Sequence, residues 1–123
     1  MEPARLLIID DHDAVREALE ARLKATPGIE VIGCTGCWKR GRTIALDVQP
    51  DVVLLETKRA DGEGLQALAS LREACPRADV LVLTSYMEPE EWEDARSQGA
   101  ARYLMKDIDT TELIRAIRSG ATT

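Results

Sequence analysis

The run Leu6-Leu7-Ile8-Ile9 constrains this chain more than any other feature. Four consecutive apolar residues are too few for a helix, and they lack the polar alternation of a strand with one face in water. They read as a strand buried on both faces. Similar short segments recur at 5–9, 29–33, 51–55, 80–83 and 101–105. Helical spacing fills the gaps. Val15, Leu19 and Leu23 share a face after Asp13, until Pro27-Gly28 stops it. Residues 38–48 (Trp38, Ile44, Ala45, Val48) form an irregular helical stretch weakened by Gly41 and ended by Pro50. Residues 56–64 are polar and contain glycine, so they form a loop; Leu65, Leu68, Ala69 and Leu71 follow at helical spacing, closed by Pro76. Pro89 suits the first turn of a helix running to Gln98 and capped by Gly99. Thr110 and Glu112 open a last helix through Leu113, Ile114 and Ile117. Five strand–helix alternations predict an α/β fold, a parallel sheet covered by helices on both faces.

Composition narrows the class further. At 123 residues, with 45% hydrophobic and 31% charged residues, the chain is one ordered domain. No apolar run exceeds four residues, so no membrane helix is expected. Met1-Glu2-Pro3 lacks a basic and apolar leader, so no secretion signal is read. A net charge of −6 argues against direct nucleic-acid binding. Three cysteines cannot all pair internally, which suits a cytoplasmic location. The domain is expected to occupy 1–119, with 120–123 starting a linker.

In a parallel sheet all strand C-termini lie on one edge, where ligands bind. The residues just past those ends are Asp10 and Asp11, Glu56, Thr84 and Ser85, and Lys106. Three carboxylates would repel one another unless a cation sits among them. An oxygen-rich set with open positions suits Mg²⁺. The hydroxyl and the ammonium would meet the remaining oxygens of a phosphoryl group, as in-line phosphoryl transfer requires. Each piece alone has an ordinary explanation: an acidic pair caps a helix, and a lysine after a strand is solvated. Their joint placement at four strand ends is what points to chemistry.

Those residues carry a resemblance. Leu6-Leu7-Ile8-Ile9-Asp10-Asp11-His12, the stretch from Pro50 to Glu56, Val80-Leu81-Val82-Leu83-Thr84-Ser85 and the stretch from Gly99 to Asp107 resemble the receiver domains of bacterial two-component response regulators over essentially the whole chain. The first and last stretches are similar to the NarL/LuxR-type subfamily, whose receivers precede a helix-turn-helix DNA-binding domain. The resemblance implies a flavodoxin-like (βα)5 doubly wound five-stranded sheet with strand order 2-1-3-4-5. It implies a signalling module rather than an enzyme, with a histidine kinase or other signalling protein upstream, a C-terminal DNA-binding output domain in the full-length protein, and a homodimer or output contact through the fourth helix, fifth strand and fifth helix. By resemblance, Asp10 and Asp11 hold Mg²⁺ and the Lys58 backbone carbonyl completes the metal site. Thr84, with Ser85 beside it, is the switch hydroxyl, Lys106 pairs with the phosphoryl group, and the Tyr103 rotamer follows the switch.

One departure decides the functional expectation. The family's phospho-accepting aspartate falls on Glu56, whose carboxylate lies one methylene further out. Small misplacements are costly in in-line attack, and the longer side chain reaches toward the space of a phosphoryl group near Lys106 and the metal. Glu56 is therefore expected to accept phosphate poorly or to mimic the phosphorylated charge. The family's usual Met-Pro beyond the acceptor reads Arg59-Ala60 here.

Two other chemistries share parts of the pattern. Asp11-His12-Asp13 mimics the signature of haloacid-dehalogenase-like Mg²⁺ phosphatases, but the following Gly-Thr and the later acidic pair are missing. Cys34-Thr35-Gly36-Cys37 has the C-x-x-C spacing of a thiol redox pair; the bland alternative is two small residues at the end of a strand. His12 reads as a solvent-facing loop residue, Lys39, Arg40 and Arg42 as a solvated helix face, and Tyr86 and Trp92 as candidates for an interaction surface.

Overall fold

Successive side chains of a strand point to opposite sides, so an unbroken apolar run can feed two cores at once, and here it does. A computed structural model describes residues 2–59, 61–85 and 87–121, with Gly120 and Ala121 described by their backbone alone. Among the described residues, strands and helices alternate strictly: β1 (Ala4–Ile9), α1 (Asp13–Lys24), β2 (Ile29–Thr35), α2 (Trp38–Val48), β3 (Val52–Leu55), α3 (Gly64–Ala74), β4 (Asp79–Thr84), α4 (Pro89–Ser97), β5 (Arg102–Met105) and α5 (Thr110–Ala121). All strand pairs are parallel, in the order β2-β1-β3-β4-β5. This is the flavodoxin-like order that the family resemblance implies.

Leu7, Ile9, Val53, Leu55, Val80 and Val82 pack toward α2, α3 and α4, against Trp38, Ala45, Leu68, Leu71 and Ala95. Their neighbours Leu6, Ile8, Val52, Leu54, Leu81 and Leu83 pack toward α1 and α5, against Leu19, Leu23, Leu113 and Ile117. Fully burying one such aliphatic side chain is worth about 1.5–3 kcal/mol, so both layers hold the sheet. Gly41, which weakens α2 on propensity, has a packing reason: a Cβ there would lie 2.4 Å from Ile9 Cδ1. The missing side chain lets α2 settle directly on β1.

Two boundaries differ from the sequence reading. β2 runs past Gly33 to Thr35 because its ladder with β1 continues, pairing Ile8 with Cys34 and Ile9 with Thr35 after a register shift between Leu6 and Leu7. α5 runs through Ala121, two residues into the segment 120–123 expected as the start of a linker; a glycine costs a helix about 1 kcal/mol but does not end it. Thr122 and Thr123 lie outside the described residues. Among the described residues, no helix is long and apolar enough to cross a membrane.

Candidate functional site

The C-terminal ends of β1, β3 and β5 bring three charged side chains into direct contact. Lys106 Nζ stands 2.9 Å from Asp10 Oδ2 and 2.8 Å from Glu56 Oε2. Asp10 and Glu56 are almost entirely buried, at 2% and 1% exposure. The other Glu56 oxygen, Oε1, accepts the Lys58 backbone N–H at 2.6 Å. Asp10 Oδ1 accepts the His12 backbone N–H at 2.9 Å, and His12 Nδ1 lies 3.1 Å from the same oxygen. Asp11 joins through His12, whose Nδ1 is 3.4 Å from Asp11 Oδ1. The Lys106 backbone N–H donates to the Thr84 carbonyl at 2.6 Å, fixing the end of β5 against β4. Burial works against the Lys106 charge, but the Glu56 and Asp10 carboxylates outweigh it and hold its pKa above the ordinary lysine range.

The remaining sequence candidates fall around this centre. Thr84 is fully buried at the end of β4, and Ser85 beside it is exposed. Tyr103 is buried, and its ring packs on Trp92 at 5.6 Å between centroids and 58° between planes. Burial, then the nearby Glu91 charge, raises the pKa of the Tyr103 hydroxyl. Tyr86 and Ala60 lie outside the described residues.

Lys58 does more than its backbone was expected to do. Its ammonium reaches α4, 3.1 Å from Glu88 Oε1 and 2.6 Å from Glu91 Oε2, and Thr57 Oγ1 donates to Glu91 Oε1 at 2.9 Å. Burial of Lys58 favours the neutral amine, but the Glu91 and Glu88 carboxylates prevail and raise its pKa. The next residue anchors the opposite flank. Arg59 is buried; its Nη2 donates to the Gly36 carbonyl at 2.6 Å and its Nε to Asp61 Oδ2 at 3.2 Å. Trp38 Nε1 donates to Glu63 Oε1 at 2.8 Å, so the loop after β3 is pinned to the start of α2 as well. At its far end Gly64 passes so close to Thr57 that a Cβ would lie 1.8 Å from the Thr57 carbonyl oxygen. Sequence reasoning missed these anchors. Arg59 was visible only as a departure from the family wording, and no sequence pattern singled out Glu88 or Glu91.

The two cysteines of the C-x-x-C pair lie in different surroundings. Cys34 packs on the side of α1 and α5; burial and the Glu20 charge on α1 raise its pKa. Cys37 is exposed at the head of α2, where the Arg40 and Lys39 backbone amides lower its pKa. Both thiols are free. With Cys34 part-buried within β2 and Cys37 exposed at the head of α2, the dithiol reading gains no structural support.

Donor atoms of Asp10, His12 and Glu56 lie within 4.8 Å of one another. The acidic pocket fits a hard divalent cation, since Mg²⁺ takes carboxylate and carbonyl oxygens. By family resemblance Asp10, Asp11, Glu56 and the Lys58 carbonyl would hold it, and of these Asp10 and Glu56 bring donor atoms together here. When bound, such an ion offsets the charge on phosphoryl oxygens. His12 is solvent-facing as read from the sequence, its side chain 55% exposed, and it also brings a ring nitrogen to this cluster.

Comparison with known proteins identifies the arrangement. The response regulator receiver domain family matches residues 6–118. The chain belongs to that family. This receiver is 34% identical over 114 residues to the DNA-binding transcriptional activator DevR/DosR of Mycobacterium tuberculosis, covering 93% of the chain and 52% of that protein. It is 31% identical over 120 residues to the nitrate/nitrite response regulator protein NarL of Escherichia coli, covering 98% and 56%. The signal receiver domain of a NarL response regulator from Mycobacterium tuberculosis superposes with a TM-score of 0.89 at 29% identity, covering 99% of this chain and 98% of that one. The receiver spans about half the length of the curated relatives it matches. It is a NarL/LuxR-type receiver domain, and neither the phosphatase nor the thiol redox alternative finds support among these relatives.

Proposed function

We propose that this receiver holds a signalling state through the Glu56 carboxylate itself rather than through a phosphoryl group. The observation that carries the proposal is that both Glu56 oxygens are engaged, Oε1 by the Lys58 amide and Oε2 by Lys106. A carboxylate clasped on both sides and 1% exposed is poorly placed for in-line attack on a phosphodonor. Its charge instead meets the ammonium that, by family resemblance, pairs with a phosphoryl oxygen. A fixed negative charge there biases a two-state element without a modification step. Thr84, with Ser85, and Tyr103 are the switch residues of this proposal, and the face of α4, β5 and α5 is its output.

Because Lys106 already offsets Asp10 and Glu56, Mg²⁺ binds Asp10, Asp11, Glu56 and the Lys58 carbonyl weakly. The names and lengths of the relatives support a C-terminal DNA-binding output domain in the full-length protein. A histidine kinase or other signalling protein upstream, a homodimer and a cytoplasmic setting complete the proposal.

The test is phosphorylation by acetyl phosphate, followed by intact-mass spectrometry. The chain is expected to remain unmodified, while Glu56→Asp, which withdraws the carboxylate by one methylene, is expected to gain one phosphoryl unit. A phosphorylated Glu56 overturns the proposal. A Mg²⁺ titration is expected to show weaker binding in Asp11→Ala than in the parent chain; equal affinity removes Asp11 from the metal set.

A further inference from the structure

Lys58 touches both ends of a path that the family resemblance does not assign to it. Its backbone amide binds Glu56 Oε1, and its side chain spans to the first turn of α4. Glu88 precedes that turn and Glu91 lies in it; the Trp92 backbone N–H donates to the Glu88 carbonyl at 3.0 Å, so these residues move as one unit. Trp92 in turn packs on Tyr103, three residues before Lys106 in sequence. The contacts therefore close a ring: Glu56, Lys58, the first turn of α4, Tyr103, Lys106 and back to Glu56. Arg59, the next residue, turns the other way to Gly36 and carries nothing to α4. Thr57 reaches Glu91 with a hydroxyl but no charge.

We propose that Lys58 is a positioning residue that couples the Glu56 carboxylate to the first turn of α4, so that a change at Glu56 is read out at Trp92. The inference rests on the proposal that the Glu56 charge sets the state of the domain. Helix N-termini favour carboxylates, so Glu88 and Glu91 keep their places when the ammonium is lost. What disappears is the charged tie between them and the loop that carries the Glu56 contact, leaving the Thr57 hydroxyl on Glu91. A neutral residue at 58 keeps the backbone amide on Glu56 and severs only the side-chain half of the path.

The chain has two tryptophans, so fluorotryptophan labelling gives one fluorine resonance for Trp38 and one for Trp92. Glu56→Gln is expected to shift the Trp92 resonance when Lys58 is present and to leave it in place in Lys58→Met. Lys58→Arg, which keeps the charge, is expected to restore the response, and exchange of the Trp92 amide, which donates to the Glu88 carbonyl, is expected to quicken about tenfold in Lys58→Met while the sheet is unchanged. An equal shift with Lys58 present and in the Lys58→Met background overturns the coupling role and leaves the functional proposal standing. No shift in either background overturns the functional proposal and the coupling with it. A Lys58→Arg variant that behaves like Lys58→Met overturns the ionic basis. Glu88→Gln combined with Glu91→Gln removes both carboxylates that Lys58 meets on the α4 side and must reproduce the loss of response; if it does not, the proposal fails even where Lys58→Met does not fold.

Discussion

Lys106 and Lys58 each stand between two carboxylates on the same rim, yet they sit at different depths. The side chains of Asp10 and Glu56 are 3% and 1% exposed, and Lys106 between them is 13% exposed. Around Lys58 the figures are 51% for Glu88, 17% for Glu91 and 22% for the lysine itself. In the inner clasp, water cannot replace a lost partner, so removing one charge strands the others. In the outer clasp, water and salt compete with each contact, and its strength is modest. One clasp therefore fixes the architecture of the rim, while the other can be made and broken at little thermodynamic cost.

The sharpest way to break this comparison is to remove each ammonium in turn. Lys106→Met is expected to destabilise the domain by about 3–5 kcal/mol, because two buried carboxylates lose their counter-ion; urea unfolding measures it. A loss near that of an exposed pair would place the inner clasp on the same footing as the outer one. Alkaline titration sharpens the same point. The folded-state pKa of Lys106 lies above its ordinary 10.5, so its stabilisation is complete below that value and fades as pH rises through the raised one. The stability difference between the parent chain and Lys106→Met is expected to shrink in that alkaline window, and a constant difference would contradict it. The smallest effect belongs to Lys58→Met, about 0.5–1 kcal/mol by the same urea measurement. A larger global loss would mean that the outer clasp is structural.

The sequence showed the rim more clearly than what surrounds it. Period and run length sufficed for the sheet because residues such as Leu7 and Ile8 can satisfy two cores only between two helical layers. The Asp10, Glu56 and Lys106 cluster followed from strand ends alone, since a parallel sheet has one C-terminal edge. The loop after β3 did not follow. Its polar residues read as solvated, and nothing in their spacing says that Arg59 is buried beneath Gly36 or that Lys58 reaches Glu91. Long side chains on an irregular backbone have no period to betray their direction. The cysteine pair misled for a related reason: spacing along the chain does not report the surroundings of each thiol, and β2 ends between them.

The close approach of Gly64 to Thr57 has a consequence for the loop between them. The two ends of the acceptor loop meet there, so the residues between them form a nearly sealed bight. Within that bight the family resemblance puts Met-Pro where this chain has Arg59-Ala60, and the buried Arg59 ties the loop to the Gly36 carbonyl. A glycine that admits no side chain at the neck thus keeps the two ends of the loop together, while the carboxylate just upstream stays where the sheet puts it.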